Sequence, residues 1–108
     1  MWHGITAATK ADEYLEFLAR RALPDYQSIA GNRGVTILRR IQGAEGHFLI
    51  LTFWESRAAI QEFAGADIAE AKYYAEDKEF LLEFEPTVTH YEVCAVVVST
   101  VSGRRMQR

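Results

Sequence analysis

A chain of 108 residues that is 49% hydrophobic, with six Phe, five Tyr and two Trp, suits one domain with an aromatic core and needs no covalent staples. Its single cysteine, Cys94, excludes an intrachain disulfide and any multi-cysteine zinc or iron–sulfur site, which fits a reducing, cytoplasmic compartment. A formal net charge of −3 with the signs interspersed argues against a nucleic-acid surface, and no apolar run approaches the ~20 residues that cross a bilayer.

Trp2 to Ala8 reads as a short strand, and Thr9-Lys10-Ala11-Asp12 then has the form of a capping box. Ala11, Tyr14, Leu15, Leu18, Ala19 and Ala22 follow at helical spacing until Pro24, which ends or bends the helix. Ser28 to Gly34 is a loop. Val35 to Gln42 alternates into a second strand, Gly43-Ala44-Glu45-Gly46 turns it, and His47 to Trp54 returns antiparallel. This third strand is the most informative stretch, because it is apolar on both faces. Phe48, Ile50, Thr52 and Trp54 point one way, and His47, Leu49, Leu51 and Phe53 the other. The chain has helix enough to cover only one of them. The other face calls for a second copy of the chain.

Ser56 can cap a second helix with Ala59, Ile60, Phe63 and Ala64 as its apolar stripe, ended by Gly65. Asp67 and Glu70 open a further short helix toward Tyr73 and Tyr74, and Asp77 to Phe84 is a helical turn or irregular cover. Thr87 to Val98 is a long last strand, with Cys94 a small buried hydrophobe within it, and the basic tail Arg104, Arg105 and Arg108 reads as solvated. The order strand, helix, strand, strand, helix, strand predicts an α+β, ferredoxin-like βαββαβ fold, with a four-stranded antiparallel sheet and helices on one face.

Trp2-His3-Gly4, Gly31-Asn32-Arg33-Gly34, Leu38-Arg39-Arg40, Phe48 to Trp54 running into Glu55-Ser56, Phe63-Ala64-Gly65 and His90-Tyr91-Glu92-Val93 together resemble the antibiotic biosynthesis monooxygenase family of dimeric α/β barrels. The resemblance covers residues 1–94 and leaves 95–108 as a strand extension and basic tail. It implies a homodimer with a pocket between sheet and helices in each subunit. Members include quinol or anthrone monooxygenases that use no cofactor, and heme-degrading enzymes. The heme branch uses an asparagine near the first strand, a tryptophan in the second helix and a histidine about ten residues on. Here Phe63 and Tyr73 hold the latter two positions, and Met1 to Thr6 holds no asparagine.

The branch without cofactor needs a base, donors for a developing anion and a dry aromatic cavity. His90 or His3 can supply the base, with His90 favoured for its position well inside the chain. Trp54, Arg40, Tyr73 and Tyr74 can supply donors, and Phe63, Phe53 and Phe80 the walls. His47, next to a turn, reads as solvated, and of Arg39 and Arg40, which point to opposite faces, one pairs with a carboxylate. No His-x-His or His-Glu-x-x-His spacing occurs among His3, His47 and His90, so no metal site is expected. The expected function is that of a monooxygenase without cofactor, acting on a phenolic or quinol-type aromatic small molecule. The alternative is a barrel that binds such a ligand without chemistry, or is purely structural.

Overall fold

The computed structural model describes residues 1–97, so the basic tail and the last part of the expected extension lie outside the described residues. Three strands, β1 (Trp2–Ala7), β2 (Asn32–Gln42) and β3 (Glu45–Trp54), form an antiparallel sheet in the order β1-β3-β2. β3 is the centre. Trp2 lies opposite Ile50 and Gly4 opposite Phe48, while Ile37 lies opposite Ile50 on the other side. The β2–β3 hairpin closes with Gly43 at φ 58 followed by a residue of negative φ, the arrangement of a type II′ turn, in which glycine takes the first central position.

Helices cover one sheet face. α1 (Ala11–Phe17) runs through a turn of π-helix (Leu18–Ala22) into α2 (Leu23–Gln27). The expected capping box does not form: no side chain caps this helix, and the Asp12 carboxylate instead accepts from Arg39 at 2.6 Å. Pro24 does not end the helix. Proline has no N–H to donate, and the widened turn just before it, where the Leu23 amide reaches back to the Leu18 carbonyl, takes up the irregularity so that helix resumes to Gln27. α3 (Arg57–Ala64) begins as expected, with Ser56 accepting from the Ala59 amide at 3.2 Å, and ends at Gly65 with φ 94.

The core lies between the helices and the face of β3 that carries Phe48 and Ile50. Tyr14 is its hub, 5.1 Å from Phe48 edge to face, 5.9 Å from Phe17 and 5.2 Å from Phe80. Trp2 lies across Gly4, where any β-carbon would sit inside the indole ring. One buried polar pair fastens the irregular part of the chain to this core. Asp77 accepts from the Tyr14 hydroxyl at 3.0 Å and from the Tyr74 amide at 2.7 Å, and burial still holds its carboxyl above the usual range.

Beyond α3 the structure departs from expectation. Residues 66–74 form no helix, and a single 3₁₀ segment (Ala75–Glu79) follows. The fourth strand is not formed among the described residues. The Leu82 amide donates to the Ile5 carbonyl, and Met1 and Thr89 exchange backbone hydrogen bonds, so the chain touches the free edge of β1 at both ends. The seven steps from Leu82 to Thr89 pass only four along β1, and in between the chain pairs with residues 69–71, the Ala71 amide donating to the Pro86 carbonyl and the Val88 amide to the Ala69 carbonyl at 2.9 Å each. Residues 91–97 carry no strand pairing, and Cys94 is exposed, not buried. The fold is α+β with a three-stranded antiparallel sheet, and no helix among the described residues is long and apolar enough to cross a membrane.

Four of the five tyrosines, Tyr14, Tyr26, Tyr73 and Tyr74, are held above the ordinary phenol value of 10, in each case first by burial. A folded-state value above the unfolded one gives stability that is intact below pH 10 and is lost as pH rises through the folded values. Native protein titrated by tyrosinate absorbance should therefore show fewer ionised phenols at pH 10–11 than denatured protein, and its unfolding free energy should fall above pH 10. Simultaneous titration of all five near the ordinary value in native protein would contradict this packing.

Candidate active site

β3 outruns β1. Trp2, the first residue of β1, pairs with Ile50, so Leu51 to Trp54 extend beyond it with their β1-side edge uncovered. A cleft opens there, bounded by the end of β3, by α3 and by the chain around His90. The part lined by Tyr26, Trp54 and Phe63 has a volume of about 50 Å³, room for little more than water. The open part, flanked by Phe53, Arg57, Ile60 and Tyr91, has about 570 Å³, within the range of small-molecule sites. Trp54, Thr52, Ile60, Ile68 and His90 border both.

The inner wall is an aromatic trio. Tyr26, placed at this end of the sheet by the helix that continues past Pro24, stacks on Phe63 with ring centroids 4.4 Å apart, and Trp54 leans on both at 6.4 and 5.9 Å. Lys72 sits 4.4 Å from the centroid of Phe63 as a cation–π partner. Phe63 is thus engaged by its own neighbours. Burial first, and then the charges of Asp77 and Asp25, push the Tyr26 phenol up to about 12. It remains a donor at neutral pH and cannot act as a base.

Of the residues expected in a site, the structure brings together Trp54, Phe63 and His90. His90 is exposed, and its Nε2 meets the Ile68 carbonyl at 2.5 Å. A carbonyl only accepts, so Nε2 carries the proton and Nδ1 of the neutral ring is left as the basic atom. The Trp54 indole N–H, expected as a substrate donor, donates instead to Thr52 Oγ1 at 2.8 Å.

Phe53 flanks the open part, and the other expected residues lie elsewhere. Tyr73 donates to the Glu85 carbonyl and packs edge-on to Trp2, Tyr74 donates to Asp25 at 2.7 Å, and Phe80 fills the core against Tyr14 and Phe17. These three hold the fold together. His3 and Arg40 belong to the helix-free face of the sheet, since His3 pairs with Leu49 and Arg40 with His47. Arg57 takes the place at the cleft that sequence reading gave to Arg40. Tyr26, Arg57 and Lys72 were missed. Arg57 was legible in principle, since it follows the Ser56 cap by one residue at the mouth of the strand end, whereas Tyr26 depended on the helix surviving Pro24.

The family model for antibiotic biosynthesis monooxygenases matches residues 6–72, more than half of the chain, and the chain belongs to that family. The matched span takes in β2, β3, all three helices, Trp54, Phe63 and Lys72, and ends before His90. No curated protein and no solved structure matches the chain.

Phe63→Ala removes the ring that joins Tyr26, Trp54 and Lys72. Because Phe63 is half-buried, the loss should fall below that of a full core truncation, at about 2 kcal/mol. Denaturant unfolding should register it, and tryptophan emission should shift to the red as Trp54 is wetted. An unchanged midpoint with unchanged emission would show that the trio does not support Trp54.

Proposed function

We propose that the protein is a monooxygenase-like enzyme without cofactor, acting on a phenolic or quinol-type aromatic small molecule held in the open cleft. The observation that carries this reading is the placement of Trp54 and His90 on one cleft, in a chain of the antibiotic biosynthesis monooxygenase family. A planar ring can lie against Trp54 and Ile60, with its hydroxyl directed to His90. The base takes the phenolic proton, and the resulting anion is electron-rich enough to reduce dioxygen itself. The substrate supplies four electrons in all. One oxygen atom stays in the product and the other leaves as water. The Arg57 guanidinium, at the same cleft, favours the anionic form.

Oxygen uptake should be measured with a panel of hydroquinones and anthrones, using protein stripped of metal and flavin. His90→Ala should lower turnover by roughly a hundredfold or more, with partial recovery at high pH, where solvent generates the anion. A variant that oxidises the same substrate at the wild-type rate would remove the histidine-base mechanism.

The exposure of His90 and the openness of the cleft favour a second reading, a barrel that binds aromatic ligands without chemistry, because an oxygenase site needs water excluded. Ligand binding by a protein that consumes no oxygen on the whole panel would establish it.

We further infer a homodimer built on the helix-free face. Ile5, Leu38, Leu49, Leu51 and Phe53 lie on that face with no helix over them among the described residues, and Phe53 is 38% exposed. Apolar surface of this extent marks an interface. Leu51→Asp should convert a two-chain sedimentation mass to one chain, because an unpaired charge in a buried interface is costly. A wild-type mass of one chain at micromolar concentration would overturn the inference.

A further inference from the structure

The helix-free face carries a second constellation, independent of the cleft and of the oxygenase reading. In the β1–β3 register His3 lies opposite Leu49 and Ile5 opposite His47, which makes the two histidines diagonal neighbours on one face. His3 Nε2 and His47 Nδ1 are 3.2 Å apart. With ring centroids 5.5 Å apart and 19° between the planes, the rings meet edge to edge through these nitrogens.

Each ring's other nitrogen faces a carboxylate, His3 Nδ1 with Glu85 and His47 Nε2 with Glu45 at 3.3 Å. An ionised carboxylate can only accept, so the protons of the two neutral rings belong on His3 Nδ1 and His47 Nε2. Two nitrogen lone pairs then face each other across the gap, with a negative charge behind each ring. That arrangement favours a cation between them.

We propose that His3 and His47 form a two-nitrogen site for a borderline divalent metal ion of the zinc class, oriented by Glu85 and Glu45. Zinc–nitrogen bonds are about 2.0–2.1 Å, and two of them at a tetrahedral angle set their ligands about 3.3 Å apart, close to the separation already built into the sheet. A carboxylate on the far nitrogen of each ring is the outer contact that fixes the tautomer and orientation of metal-ligating histidines. Among the described residues no group of three or more His, Cys, Asp or Glu could hold an ion, so within one chain the remaining positions fall to water. In the single chain the side chains of His3 and His47 are 32% and 27% exposed, and the gap opens on the face where the partner subunit is inferred to pack. Arg40, opposite His47 in the β2 register, is the neighbouring cation, and its guanidinium is turned to Gln42 Oε1 at 2.8 Å. The site runs against the expectation from sequence spacing, because its ligands are 44 residues apart and only strand register joins them.

Calorimetric titration of tag-free protein with zinc chloride tests it. Wild type should take up one zinc per chain, His3→Ala and His47→Ala should each weaken uptake at least tenfold, and His90→Ala should bind as wild type does. Glu85→Gln and Glu45→Gln, which leave both rings in place, should each weaken it by roughly tenfold to a hundredfold, and they decide the matter if an alanine variant fails to fold. No uptake by wild type at millimolar zinc, or equal uptake by wild type and the histidine and glutamine variants, would overturn the proposal.

Discussion

The central strand is apolar on both faces, and the helices of one chain can cover only one of them. β3 pairs with β2 along one edge and, from Glu45 to Ile50, with β1 along the other, so its register fixes which side chains of β1 and β2 share each face. Phe48 and Ile50 face the helices and order the aromatic core around Tyr14. Leu49, Leu51 and Phe53 face away from it. A one-residue slip would exchange these sets, so the faces that hold the core, the inferred interface and the histidine pair are settled together.

The cleft follows from a mismatch in length on the same sheet. β3 continues past the first residue of β1, and the segment that touches β1 at Ile5 and Met1 does not close the gap as a strand. Where pairing stops, side chains of Thr52 and Trp54 meet α3 and the chain around His90. Functional groups gather where the sheet runs out because the backbone there is least committed to a ladder. The two histidines first considered as alternative bases are separated by the sheet itself. His90 borders the cleft beyond the end of β1, and His3 lies on the helix-free face beside His47.

Tyr14 and Asp77 show how an irregular segment is held without regular structure. The carboxylate draws one hydrogen bond from the core and one from the Tyr74 backbone, which pins the 3₁₀ segment and puts Phe80 against Phe17. Tyr73 and Tyr74 then use their hydroxyls on Glu85 and Asp25. Aromatic residues that resembled site donors in a list of types are tie points of the chain, and their raised phenol values reflect burial in that role.

The sequence by itself determined the local matters. The hairpin at Gly43, the Ser56 cap, the end of α3 at Gly65, the two-faced third strand, the opposite directions of Arg39 and Arg40 and the family were all legible, because each depends on neighbours a few residues apart. Between the two readings left open at Pro24, and at the detour of residues 86–88 toward residues 69–71, the sequence did not decide, because a π turn or a neighbouring segment settles whether a proline breaks an element or is accommodated. The site divided in the same way. Trp54 and Phe63 were marked by the strand end and the helix stripe, whereas Tyr26 and Arg57 at the cleft, and His47 beside His3, were brought into place by tertiary structure. Register alone sets residues 44 apart at 3.2 Å, and no spacing along the chain encodes that contact.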